Sequence, residues 1–276
     1  MITDIISFIL LVLVVLFIAF YIKPYEFLAY KIPNKIYTKY IEYTFTRTYN
    51  RILSQPRSII SDNAVEIFTS TEKIERWTNL PHNSVSKPIM NIPKWEENPT
   101  NIALKYYTGY SNYKINQVVV NLDSYTFNKA IYQNKEIFLD CVEKYNLIKK
   151  EIITRTLNES VLAIHWKHLR NINSYLGVNL SELKAGKKYK YIGFISTSLN
   201  LSYKEDYDGN DKRTPAGHIL FFLEIPKGTH CIYPSKDISN REEYELIVNS
   251  DQYILIEKIH HRTLGSAIIK GKIVSS

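Results

Sequence analysis

The sequence predicts an α+β protein in which N-terminal helices precede a β core, the whole preceded by one transmembrane helix. Three observations predict it. An uncharged run, "IISFILLVLVVLFIAFYI", fills Ile5–Ile22. Residues 101–155 place apolar side chains at three- and four-residue spacing, the helical period. From about Ser160 short apolar or alternating runs follow one another, separated by Gly, Pro, Asn and Asp. Helices first and strands afterwards read as α+β rather than as a doubly wound parallel sheet.

The apolar run is long enough to cross a hydrocarbon layer of about 30 Å as a helix. The residues before it are "MITD", with no basic n-region, and no A-x-A-like cleavage site follows, so the expectation is an uncleaved anchor over residues 1–23. Lys23, Lys31, Lys35 and Lys39 follow the run and only Asp4 precedes it. The positive-inside bias then places a single-pass protein with its C-terminal domain in the cytoplasm. Residues 24–99 read as a connector or small helical region, either amphipathic at the membrane surface or docked on the main domain. Four prolines between Leu80 and Pro99 mark its end.

The chain has 276 residues, a formal charge of +8 and 45% hydrophobic residues. That suffices for one substantial domain with appendages, and it favours anionic partners without choosing among them. Cys141 and Cys231 are the only cysteines, too few for a disulfide framework, and no CxxC spacing suggests zinc. There is no G-x-G-x-x-G, no Walker A sequence, and no internal repeat.

The helical stretch holds "NKAIYQNKEIFLDCVEKYNLIKKEIITRTL", free of Pro and Gly. The strand-rich part holds "SVLAIHW", "KYIGFISTS", "GHILFFLEI", "HCIYP", "EYELIVN" and "YILIEKIHH". In "EEYELIV", strand alternation places Glu243 and Glu245 on one face, with Cα atoms roughly 6.5–7 Å apart, and Tyr244 on the other. Two such carboxylates repel, so one is expected to titrate higher than its partner. One could stabilise a cation while the other takes a proton. On spacing alone, an exposed edge with two solvated glutamates is the commoner outcome. In "GFISTSLN", Ser196 and Ser198 share one face and Thr197 takes the other. Taken singly, these are ordinary polar residues at a strand end.

Their order says more. A strand ending in S-T-S, then "LEIPKGTHCIYPS", then E-x-E about 45 residues after the S-T-S, resembles the arginine-directed mono-ADP-ribosyltransferases. It also resembles the enzymatic components of clostridial binary toxins, such as iota toxin. "YYTGYSNYKIN" (Tyr106–Asn116) is similar to the family's Y-T-G-x-x-Y-x-x-I-N segment, and "EYELIVNSDQYILIEK" to its E-x-E strand and hairpin. The resemblance implies a two-sheet β core within a catalytic domain over residues 100–276, with NAD as substrate and no metal. It assigns Glu245 to stabilise the ribose cation, Ser196 to position Glu245, and Glu243 to orient or deprotonate the acceptor, whose glutamate character points to arginine. Ser198 and Thr197 belong to the strand lining the nicotinamide cleft.

The family's arginine at the end of its first core strand falls on His165 when Ala163–Ile164 take the preceding positions, with Lys167 and Arg170 nearby as cations. Lys212 or Arg213 would neutralise the pyrophosphate, and Tyr233 and Tyr244 would frame the recognition loop. The implied partners are NAD, a protein acceptor through an arginine side chain, and the membrane through the N-terminal helix, with no nucleic acid. An inactive binding module of the same fold and a basic membrane-surface interaction protein are the alternatives.

Overall fold

The computed structural model describes residues 34–275 apart from 61, 63, 89–97, 123–128, 203–216, 236–237, 240–242 and 264. Within the stretch read as a connector, α1 runs over Asn34–Ser54 and α2 over Thr71–Thr78. The helical stretch divides into α3 (Pro99–Tyr106), a π-helical turn (Tyr107–Ser111), α4 (Asn112–Leu122), α5 (Lys129–Tyr132) and α6 (Lys135–Ile152). Sequence periodicity is clearest in α6, where Cys141, Tyr145, Ile148 and Ile152 form the buried stripe. Asn134 caps it by accepting from the Ile137 amide at 2.9 Å.

The strands are β1 (Val161–His168), β2 (Lys188–Lys190), β3 (Ile195–Ser198), β4 (His218–Ile225), β5 (Cys231–Ile232), β6 (Glu245–Val248), β7 (Tyr253–Arg262) and β8 (Ser266–Val274). A short helix, α7 (Ile172–Leu176), follows β1. The expected two-sheet core is corrected: the strands form one eight-stranded sheet in the order β2-β7-β8-β4-β1-β3-β6-β5. All neighbours are antiparallel except β4 and β8. The two halves meet at a narrow seam. β1 pairs with β4 along its full length but with β3 only at Ile164↔Ser198. Backbone from the α1–α2 segment completes the start of β1: the Glu66 amide donates to the Ser160 carbonyl at 2.7 Å, and the Leu162 amide to the Glu66 carbonyl at 2.9 Å.

Three apolar clusters fix the layers. One face of the β1-β4-β8 half packs Val161, Ala163, Phe221 and Ile269 against α2 and α7. The opposite face packs Leu162, Ile164, Leu220, Phe222 and Ile268 against Phe45, Tyr49 and Ile52 of α1. Helices α3, α4 and α6 cover Phe194, Ile232 and Ile247 of the other half.

The expected transmembrane helix and single-pass membrane placement are corrected too. Among the described residues no helix is long and apolar enough to cross a membrane. The 21-residue α1 carries Lys39, Glu42, Arg47 and Arg51 and buries Phe45 and Tyr49 against protein. The run Ile5–Ile22 lies outside the described residues.

The entry to β3 is held by the helical layer. Asn116 of α4 accepts from the Phe194 amide at 2.9 Å and donates to the Phe194 carbonyl at 3.2 Å, so one side chain imitates a neighbouring strand. Gly193 makes room for it with φ +85°, and a Cβ there would lie 2.7 Å from Asn116. Gly193→Ala should therefore lower stability by about 2–3 kcal/mol, combining left-handed strain with overpacking. Gly228→Ala is the control, because φ is +88° there but no heavy atom lies within 4 Å of the added Cβ. Its loss should be about 1 kcal/mol. Urea unfolding midpoints measure both, and equal losses would discount the Asn116 clamp.

Candidate active site

β3 and β6 run antiparallel, with Ser196 opposite Ile247, Thr197 opposite Leu246 and Ser198 opposite Glu245. Ser196 and Glu245 are therefore diagonal neighbours on one face, a pairing that longer side chains span. Ser196 Oγ donates to Glu245 Oε1. Glu245 is only 5% exposed, so its carboxylate sits where water screens charge poorly. Burial, and next the nearby Glu245 carboxylate, push the Tyr107 phenol well above its ordinary value. Tyr107 thus stays a donor, and its hydroxyl lies 3.4 Å from the Phe194 carbonyl.

Glu243 reaches the site by a different route from the one strand alternation implies. β6 begins only at Glu245, and Tyr244 has φ 49°, a conformation that non-glycine residues adopt at a cost. Two bonds, one from the last residue of β3 and one from the residue after it, hold this turn. Ser198 Oγ donates to the Glu243 carbonyl at 2.6 Å, and the Leu199 amide donates to the Tyr244 carbonyl at 3.1 Å. The Tyr244 ring is directed into the core, with its hydroxyl 3.4 Å from Glu75 Oε1. Despite leaving the strand, Glu243 lines the same cleft as Glu245, together with Ser196, Thr197 and Ser198. The structure thus brings the expected glutamates and the S-T-S strand together. Thr197 and Ser198 direct their hydroxyls to backbone: Thr197 Oγ1 donates to the Leu246 carbonyl at 2.7 Å and is buried.

His165 is a correction. Alternation along β1 sends its ring away from the cleft, against Tyr191 at 5.4 Å and Phe221 at 5.9 Å between centroids. The β1 side chains at the cleft are Ile164 and Trp166. The expected position is one residue out of register, and a one-residue shift exchanges the two faces of a strand. His165 has a structural task at the seam. Its Nδ1 lies 2.5 Å from the Ser196 carbonyl, and its Nε2 lies 3.1 Å from the Tyr191 hydroxyl. Burial, reinforced by the Lys167 charge and opposed by the Ser196 carbonyl, holds the ring well below the ordinary histidine value. It is neutral at pH 7. Because a carbonyl can only accept, the ring hydrogen is on Nδ1, and Nε2 accepts from Tyr191.

Lys167 shares the His165 face and stands 3.9 Å over the Tyr175 ring. Lys212, Arg213 and the Arg170 side chain lie outside the described residues. Tyr233 is buried in the same cluster as Tyr244. Two contributors were not singled out from sequence: Asn116, although its motif was visible, and Trp166, whose signal was the alternation with Ile164. Among the described residues no group of three or more His, Cys, Asp or Glu could hold a metal ion.

The sequence profile of the ADP-ribosyltransferase exoenzyme family matches residues 83–273. No curated protein matches the chain. Among solved structures, an ADP-ribosyltransferase from Clostridium botulinum aligns with a TM-score of 0.51 and 15% identity, over 76% of this chain and 99% of its own. A protein from S. aureus, solved with NAD, aligns at 0.51 with 16% identity, over 77% of this chain and 99% of its own. An ADP-ribosylating toxin of a binary enterotoxin of C. perfringens, solved with NADH, aligns at 0.52 with 18% identity, over 76% of this chain and 50% of its own. At these identities the structural likeness speaks for the fold, and the profile speaks for membership. Matched over more than half its length, the chain belongs to the ADP-ribosyltransferase exoenzyme family and is an NAD+–protein ADP-ribosyltransferase.

Proposed function

We propose that the chain transfers ADP-ribose from NAD to an arginine side chain of a protein acceptor, releasing nicotinamide, with Glu245, Glu243 and Ser196 carrying the reaction. The observation that carries this reading is the pair of carboxylates in one cleft, one buried and held by Ser196, the other on a strained turn. NAD supplies a glycosidic bond whose cleavage builds positive charge on the ribose, as in glycoside hydrolysis. A fixed and poorly hydrated carboxylate stabilises such charge more strongly than one in water. Glu245 has that setting. The Ser196 hydroxyl orients it, and the His165 ring holds the Ser196 backbone.

Glu243, half-buried at the same cleft, is the group that meets the acceptor. A guanidinium keeps its proton to pH values above about 12, so it attacks only when a base removes a proton as the new bond forms. A carboxylate on a turn, apart from Glu245, can serve one without neutralising the other. Ser198 and Leu199 keep that turn in place.

Transfer of labelled ADP-ribose from NAD to protein in a cell lysate, and its transfer to water with release of nicotinamide when no acceptor is present, measure the two halves separately. Glu245→Gln should lower both by roughly 10²–10³-fold, since it removes the charge that meets the cation. Undiminished transfer by that variant would overturn the site, and no NAD consumption by the unaltered protein would leave the binding-module alternative. Glu243→Gln should lower transfer to a small guanidino acceptor by roughly 10²-fold, with NAD hydrolysis within about threefold. Parallel loss of both activities would refute the division of labour.

A further inference from the structure

Trp166 is the aromatic that β1 contributes to the cleft, next to Ser196, Glu243 and Glu245. It is partly exposed, whereas Val161–His165 before it are buried. Its support comes from α1. The Phe45 ring stacks against the indole at 5.8 Å and 28°, and the Tyr49 ring meets it at 6.2 Å and 69°. His218 of β4 adds an edge contact at 6.4 Å. Phe45 and Tyr49 are 1% and 3% exposed, so they are fully enclosed. The Tyr49 hydroxyl also donates at 2.6 Å to the carbonyl of Leu201, three residues beyond the S-T-S strand. Burial pushes that phenol up, which preserves it as a donor. One helix thus ties the indole to the end of the catalytic strand. That helix, Asn34–Ser54, precedes the segment 83–273 that the family profile matches.

A neutral, partly exposed indole in a dinucleotide cleft offers a flat apolar surface and no charge for a pyrophosphate. We propose that Trp166 is a stacking platform for an aromatic ring of NAD, and that α1, through Phe45 and Tyr49, is the part of this chain that holds the platform in place. The inference rests on reading the Ser196–Glu245 cleft as the NAD site. Flat ring-on-ring contact is tolerant of ring chemistry, because every base presents a π face. The adenine and the nicotinamide share that chemistry.

Full-length protein is titrated with NAD, with ADP-ribose and with nicotinamide while tryptophan emission is recorded, and Trp166→Phe serves as the blank. NAD should quench emission of the unaltered protein and leave the blank nearly unquenched. Quenching by ADP-ribose assigns the adenine, and quenching by nicotinamide assigns the nicotinamide. Trp166→Ala should raise the KM for NAD about tenfold or more, from the usual worth of a lost base stack, with kcat within about threefold, and Trp166→Phe should recover most of it. Phe45→Leu, remote from the cleft, should raise KM in the same direction without unfolding the protein. Equal NAD quenching of the unaltered protein and the blank, or an unchanged KM in Trp166→Ala, would overturn the platform while Glu245→Gln still abolished activity. An unchanged KM in Phe45→Leu would overturn the role of α1. Absence of NAD binding by the unaltered protein would instead fail the cleft reading on which this inference stands.

Discussion

The register between β3 and β6 is the constraint on which the site depends. Placing Ser198 opposite Glu245 makes Ser196 its diagonal neighbour, and the same pairing brings the Glu243 turn under the Ser198 hydroxyl. A slip by one residue would send both hydroxyls and the Glu245 carboxylate to opposite faces. Such a short pairing is weak by itself, so its register needs support from outside. Asn116 supplies it at the start of β3, fixing Phe194 from a helix that belongs to a separate apolar layer. Thr197 supplies it in the middle, where its buried hydroxyl reaches the Leu246 carbonyl.

The seam between β1 and β3 is the second constraint, and it explains His165. Antiparallel neighbours that share one register pair leave backbone groups on both strands in need of partners. Glu66 serves the start of β1, and the His165 ring serves the Ser196 carbonyl. A neutral imidazole is suited to that place, because it donates from one nitrogen and accepts from the other while carrying no charge into the core. The Tyr191 hydroxyl occupies the second nitrogen, and the stacked Tyr175 and Tyr191 rings, 5.3 Å apart, back the arrangement. The divergence of the strands leaves Ile164 and Trp166 facing the cleft with the S-T-S strand.

Much of this was legible in the residues, and each failure has a physical cause. The stripe of α6 and the apolar runs of β1, β4 and β6 were readable because burial on one or both faces writes a period into the sequence. β8 was not among the expected strands, because Lys270, Gly271 and Lys272 interrupt its apolar character. Those lysines are tied to Glu224, with Lys270 also 3.0 Å from Glu257, so the charge lies within the sheet rather than at its end. The glutamate pair was expected on one strand face. It is delivered instead by a left-handed Tyr244, a conformation no pattern of apolar residues announces. His165 and Trp166 are adjacent, and choosing between them needed the sheet's handed faces rather than the motif.

A cleft whose carboxylate is buried must, if it is the NAD site proposed above, exclude water from that carboxylate while still admitting a charged dinucleotide. Burial of Glu245, only 5% exposed, meets the first requirement, and the nearby Tyr107 phenol, pushed up chiefly by its own burial, stays protonated. The second requirement falls to the open side, where Glu243 stands on a turn that local hydrogen bonds maintain against its own strain. Catalytic groups on rigid strands gain precision, and those on turns gain reach. Under the proposed roles, placing Glu245 on β6 and Glu243 just before it gives precision to the group proposed to meet the ribose and reach to the group proposed to meet the acceptor. The strain at Tyr244 follows from that division, because an unstrained strand would hold both carboxylates at the same depth.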